Sequence, residues 1–140
     1  MKYKFHDGGK FDCGFGKASS ADCALRAICI AEGSSYRQTK AQMNELLFEM
    51  TGGLERSVNN GVANAVVYRF LMDLGYKLTL TGNLYLRDME STFSGKTVIC
   101  SLTRHFVTVI DNTVLDTWDS RWCNRTKCNS PKLEGYFEKM

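Results

Sequence analysis

Two residue types in this chain offer nucleophilic chemistry with a base to activate it: a cysteine placed to begin a helix, Cys23, and a histidine placed to begin a strand, His105. Ala24, Ala27, Ile28 and Ala31 recur at i, i+3, i+4 and i+7, and Gly33 stands as a stop. That spacing, with Asp22 as N-cap, predicts a buried helix from about Cys23 to Glu32. A thiol attacks only as thiolate, and the unpaired N–H groups and dipole of a helix N-terminus favour that anion. Cys29 and Cys100 fall inside periodic elements, where a cysteine is a small buried hydrophobe. Cys13 falls in an irregular stretch with no cap around it. The bland alternative for Cys23 is packing at a helix start, so a base and an orienting group must be found for it.

Of the two histidines, His6 lies beside Asp7 and the Gly8-Gly9 pair and is expected at the surface, whereas His105 opens a run of β-branched residues with Val107 and Val109 on its own face. Asp111-Asn112 reads as a two-residue turn that pairs Ile110 with Thr113 and, counting back, Val107 with Asp116. Asp116 then shares a face with His105 as a diagonal neighbour about 7 Å away between Cβ atoms, within reach of a carboxylate that orients an imidazole. A three-residue turn reverses the parity and turns Asp119 toward His105 instead, so Asp116 is the first choice and Asp119 the reserve. Arg26, three positions after Cys23, neighbours it on the helix, where it supports a thiolate or pairs with an acid.

The elements that must position these groups are legible in outline. Residues 1–21 are rich in Gly and Ser and read as an irregular opening segment of a single domain spanning 1–140. Ser34 and Ser35 cap a second helix with Tyr36, Met43, Leu46, Leu47 and Met50 on its apolar face, ending at Gly52-Gly53. Asn60-Gly61 opens a third, with Ala63, Val66, Val67, Phe70, Leu71 and Leu74 in register and Gly75 closing it. The period then changes to two over Tyr76–Leu80, Thr97–Leu102, His105–Ile110 and Thr113–Trp118, with a short helix near Tyr85–Phe93 between the first two. Helices first and strands afterwards predict an α+β fold in which N-terminal helices pack on a C-terminal antiparallel β-sheet. Trp118, Trp122 and the Tyr136-Phe137 pair are expected to be core or sheet-covering aromatics.

A length of 140 residues with 44% hydrophobic content supports one core, and a net charge of +3 without a basic run argues against a dedicated nucleic-acid binder. No stretch reads as a signal peptide or a membrane span, so a cytoplasmic setting with free thiols is expected, and the six cysteines are not read as a disulfide framework. Cys123 and Cys128 form a loose pair without a second pair or a nearby His, so neither a metal nor any other cofactor is implied.

The order helix-starting Cys, strand-borne His and strand-ending Asp resembles the papain-like cysteine peptidase superfamily. Asp116-Thr117-Trp118 is similar to the Asn-Ser-Trp string of papain-type enzymes, with Asp in the place used by bacteriocin-processing peptidases. Asp22-Cys23-Ala24-Leu25-Arg26-Ala27-Ile28, Gly33, Tyr36, His105-Phe106-Val107-Thr108-Val109 and Asp116-Thr117-Trp118-Asp119 resemble small papain-like proteins encoded by bacteriophages, over roughly residues 20 to 137. The resemblance implies a papain-like fold, a Cys23 nucleophile, a His105 base and an Asp116 orienter. It also implies a protein or peptide substrate, a host protein among the candidates, in the cytoplasm of an infected bacterium. Peptidase, isopeptidase and deamidase or transferase activities share this chemistry. One departure stands out: papain-like enzymes place a Gln before the nucleophile as an oxyanion donor, and no Gln or Asn precedes Cys23. The Cys23 N–H, with Ser19, Ser20 or Lys17, is the substitute expected. The alternative from another class is a catalytically inactive papain-like module that binds and inhibits a host protein.

Overall fold

The first helix, α1, runs Cys23–Glu32, as the alanine and isoleucine spacing predicts. In the computed structural model, which describes residues 1–11, 22–55, 57–58, 63–122 and 130–140, every side chain from Ala24 to Ile30 is buried. A helix closed off on so many sides needs more than one covering layer. Strands lie against one side of α1 and helix α2 (Tyr36–Met50) against another. A third cover is the chain's opening segment, where Gly8, at φ 72°, sits so close that a Cβ would lie 3.0 Å from the Arg26 carbonyl oxygen. Gly33 ends α1 in the left-handed conformation, its N–H bonded to the Cys29 carbonyl.

Helix α2 starts where Ser35 Oγ accepts the Gln38 N–H at 3.4 Å and buries Tyr36, Thr39, Met43 and Leu47. Met50, expected on that face, is exposed. Helix α3 (Asn64–Asp73) buries Val66, Val67, Phe70 and Leu71; Asn60 and Gly61, expected to open it, lie outside the described residues.

Among the described residues the six strands are β1 (Lys2–Phe5), β2 (Tyr76–Tyr85), β3 (Thr97–Leu102), β4 (His105–Ile110), β5 (Thr113–Asp116) and β6 (Lys132–Lys139), in the sheet order β1-β5-β4-β3-β6-β2. The α+β class holds, but the sheet is mixed rather than antiparallel, because β1 runs parallel to β5 with Phe5 opposite Asp116. The opening segment is therefore not irregular throughout. A four-residue edge strand reading Lys-Tyr-Lys-Phe is too short for its period to be seen locally, and its pairing partner lies near the other end of the chain. The expected short helix near Tyr85–Phe93 is a single 3-10 turn over Leu86–Met89, and β2 runs on to Tyr85.

The hairpin that matters most follows the sequence reading. Asp111 and Asn112 both take positive φ, 46° and 62°, and Ile110 pairs with Thr113, Val109 with Val114 and Thr108 with Leu115. The sheet separates two apolar clusters. Ile99, Phe106 and Phe137 pack with the helices, while Val98, Cys100, Val107, Val109 and Leu133 pack with Leu86, Met89 and Phe93 on the other side. Thr108 ties the first layer together by donating from its hydroxyl to the Ala27 carbonyl of α1 at 2.5 Å.

Strand β6 sits between β3 and β2, and its Gly135 is a tight point: a Cβ there would lie 2.8 Å from the Thr79 carbonyl oxygen. Gly135→Ala is expected to destabilise the protein by about 1–3 kcal/mol through overpacking against backbone. A lower urea midpoint at unchanged slope is the signature, and a midpoint equal to that of the unaltered protein contradicts it. Among the described residues no helix is long and apolar enough to cross a membrane.

Candidate active site

The N-terminus of α1, the start of β4 and the end of β5 bring Cys23, His105 and Asp116 together. His105 Nε2 lies 2.5 Å from Asp116 Oδ2, with both side chains buried. Hydrogen bonding and charge also couple the ring to the Cys23 thiol, and with Nε2 held by Asp116 the nitrogen left for sulfur is Nδ1. The two-residue turn at Asp111-Asn112 sets this parity, and a second turn, with Arg104 at φ 57°, places His105 directly opposite Leu102 as the first residue of β4. Asp116 is fixed in turn: its Oδ1 accepts the Thr117 N–H at 2.7 Å, and its carbonyl accepts the His6 N–H at 3.0 Å and the Tyr3 hydroxyl at 3.1 Å. Trp118 covers the imidazole, the ring centroids 4.8 Å apart at 37°.

Asp119, the reserve, is engaged elsewhere. Its carboxylate accepts Arg121 Nε at 3.0 Å and Nη2 at 2.7 Å. His6 is exposed, its Nδ1 accepting the Gly8 N–H at 2.9 Å. Trp122, expected as a core or sheet-covering aromatic, is an exposed ring under the Arg87 guanidinium. Phe137 is buried against Tyr68. Lys17, Ser19 and Ser20, the expected oxyanion donors, lie outside the described residues, as do Cys13, Cys123 and Cys128. Among the described residues no group of three or more His, Cys, Asp or Glu could hold a metal ion.

The electrostatics favour a charged sulfur. Burial pushes the Cys23 thiol up, but the hydrogen bond and charge of His105, the Phe106 N–H and the Arg26 charge together outweigh it, and the thiol titrates below its ordinary range. Burial disfavours an imidazolium at His105, yet the hydrogen bonds and charges of Asp116 and Cys23 raise it to about 9. The two shifts point the same way, to a thiolate–imidazolium pair. Cys100, fully buried with no such partner, is pushed far up by burial alone and is inert. Because the folded His105 value stands above the ordinary 6.5, its contribution to stability is complete below about pH 6.5 and is lost as pH rises through about 9. The excess stability of the unaltered protein over His105→Ala is therefore expected to shrink between those values in urea titrations, and a difference that grows with pH there contradicts the pairing.

Three parts of the site were not legible in the sequence: the role of Asp22 and the arrival of Lys10 and Tyr36. Asp22 precedes Cys23 as expected, yet its side chain caps nothing. Its carboxylate instead accepts hydrogen bonds from Arg26 Nη1 and from the Tyr36 hydroxyl at 2.5 Å, and pairs with Lys10 Nζ at 3.0 Å. Asp22 and Arg26 are spaced i, i+4, and that spacing was the available signal; the approach of Lys10 and Tyr36 left no local mark. Two surface hollows of about 320 Å³ each, one flanked by Leu46, Phe70 and Leu74 and one by Lys77, Thr79 and Glu138, share no residue with this cluster.

No family model matches the chain, and neither a curated protein nor a solved structure matches it.

Proposed function

We propose that the chain is a papain-like thiol hydrolase that transfers acyl groups from a protein or peptide amide, using Cys23 as nucleophile, His105 as general acid and base and Asp116 as orienter. The observation that carries this reading is the buried His105 Nε2–Asp116 Oδ2 contact at 2.5 Å, on a ring whose hydrogen bonding and charge also lower the pKa of the Cys23 thiol. A base oriented by a third group and bonded to the nucleophile is the arrangement that activates a thiol, and it recurs independently of fold.

In the reaction the Cys23 thiolate adds to the amide carbon, and the developing oxyanion meets the Cys23 N–H, a first-turn amide with no acceptor inside α1. The C–N bond then breaks as imidazolium His105 gives its proton to the leaving amine, leaving a thioester and a neutral ring. That ring takes a proton from water as the water oxygen adds to the thioester carbon. Collapse expels the carboxylic acid and restores thiolate and imidazolium. Asp116 holds the Nε2 proton throughout, so Nδ1 faces the sulfur at every step.

Acyl-enzyme formation on an activated ester tests this whatever the natural substrate is. With p-nitrophenyl acetate, a burst of nitrophenolate equal to the enzyme concentration is expected, with the acetyl group found on Cys23 by peptide mass spectrometry and absent from Cys23→Ala. No adduct on Cys23 overturns the reading. With amide substrates, turnover is expected to fall as pH rises through about 9, where His105 loses the proton it must donate. A profile still climbing beyond that point removes His105 from the role of acid.

A further inference from the structure

The proposed mechanism leaves a buried ionic cluster unused. Lys10, Asp22, Arg26 and Tyr36 are all buried, and all but Lys10 lie on α1, its cap or α2. Asp22 is the hub: Oδ1 takes Arg26 Nη1, and Oδ2 takes Lys10 Nζ at 3.0 Å and the Tyr36 hydroxyl at 2.5 Å. The far side of the guanidinium reaches β5, where Arg26 Nη2 stands 3.8 Å from Asp116 Oδ1. Arg26 is thus set between two carboxylates, one in its own helix cap and one in the candidate triad, while sitting one turn from Cys23. Burying a guanidinium is costly unless it is paired and hydrogen-bonded, and pairing with Asp22 alone does not require an approach to Asp116.

Resting on the thiol-hydrolase reading, we propose that Arg26 is a positioning residue of the triad: gripped by Asp22, its guanidinium keeps the Asp116 carboxylate turned so that Oδ2 meets His105, and it holds positive charge beside the sulfur of Cys23. The groups facing the Cys23–His105 pair are Asp116 from β5 and Arg26 from α1, and behind them Asp22, Lys10 and Tyr36. Among the charges that favour the Cys23 thiolate, Arg26 acts beside His105. A planar fork presents its N–H groups to two carboxylates in a fixed geometry, which the rotatable donors of a lysine do not.

The test is the pH dependence of Cys23 alkylation by iodoacetamide in the full chain, with folding checked by near-ultraviolet circular dichroism. Arg26→Gln is expected to move the midpoint upward by about one pH unit, which slows the reaction roughly tenfold at pH values below the midpoint, the effect of a removed nearby charge. Arg26→Lys is expected to lie between the two, restoring charge but not the bridge. Asp22→Asn, which removes the negative charge facing Arg26 but keeps an amide oxygen to accept from its guanidinium, is expected to move the midpoint the opposite way, downward. Two substitutions in one structural pair shift the midpoint in the same direction if the pair merely supports the helix. Where Arg26→Gln does not fold, Arg26→Lys and Asp22→Asn decide. Profiles of the folded variants that superimpose on that of the unaltered protein, or that all move upward together, overturn the proposal. An unaltered protein whose Cys23 reacts no faster than an ordinary thiol defeats the hydrolase reading itself, which is a different outcome from an activated Cys23 that is indifferent to Arg26.

Discussion

Replacing His105 with alanine is expected to slow alkylation of Cys23 at pH 6 by on the order of a hundredfold. An ordinary thiol titrating near 9.0 is only about 0.1% thiolate at that pH, whereas a thiol paired with an imidazolium is largely ionised. Weaker intrinsic nucleophilicity of the low-pKa thiolate returns part of that factor, which is why the expected loss is smaller than the ratio of thiolate fractions. Burial of Cys23 works in the same direction in the variant, because with the His105 charge gone desolvation is the largest influence left on the sulfur. Cys100 serves as the internal reference, since nothing near it changes. Rates measured by quantitative peptide mass spectrometry decide the matter: a Cys23 rate within about threefold of the unaltered protein, in a variant that remains folded, means that the imidazole does not hold the sulfur.

The second large effect is on stability. Asp22→Ala is expected to destabilise the protein by about 3–5 kcal/mol, the cost of leaving a buried charge without its partner. Lys10 and Arg26 would both face the emptied position from buried sites, and the Tyr36 hydroxyl would lose its 2.5 Å acceptor. The loss reaches beyond α1, because Lys10 belongs to the opening segment that also pairs β1 with β5 and donates the His6 N–H to the Asp116 carbonyl. Equilibrium urea unfolding measures it. A cost below about 1 kcal/mol, the range of an exposed ion pair, is incompatible with a hub buried among two cations.

The same cluster shows where sequence reasoning reaches and where it stops. The α1 boundaries, the burial of Cys29 and Cys100 and the choice of Asp116 over Asp119 all rest on local rules: helical period, the inertness of mid-element cysteines and the parity of a two-residue turn. Those rules act over a few residues and are visible in any short window. Strand β6 escaped because Gly135 interrupts the alternation of Leu133 and Phe137, and Gly135 is there to let Thr79 approach from the distant strand β2. Strand β1 and Lys10 escaped for the same reason at longer range. A lysine after a Gly pair reads as solvated loop, and only the fold reveals an acid waiting 3.0 Å from its ammonium group. Asp22 was read as a cap because caps are local, but the carboxylate turns to tertiary partners that outcompete the helix's own N–H groups.

If sulfur and imidazole form an ion pair at rest, thiolate absorbance reports it most directly. The ultraviolet difference spectrum between the unaltered protein and Cys23→Ser, followed from acid to alkaline pH, isolates this one sulfur from the other five cysteines. The expected result is a thiolate signal that appears well below the ordinary value of 9.0 and stays level as His105 deprotonates near 9. A signal that first appears at or above 9.0 contradicts the ion pair, and with it the activated thiol on which the proposed chemistry stands.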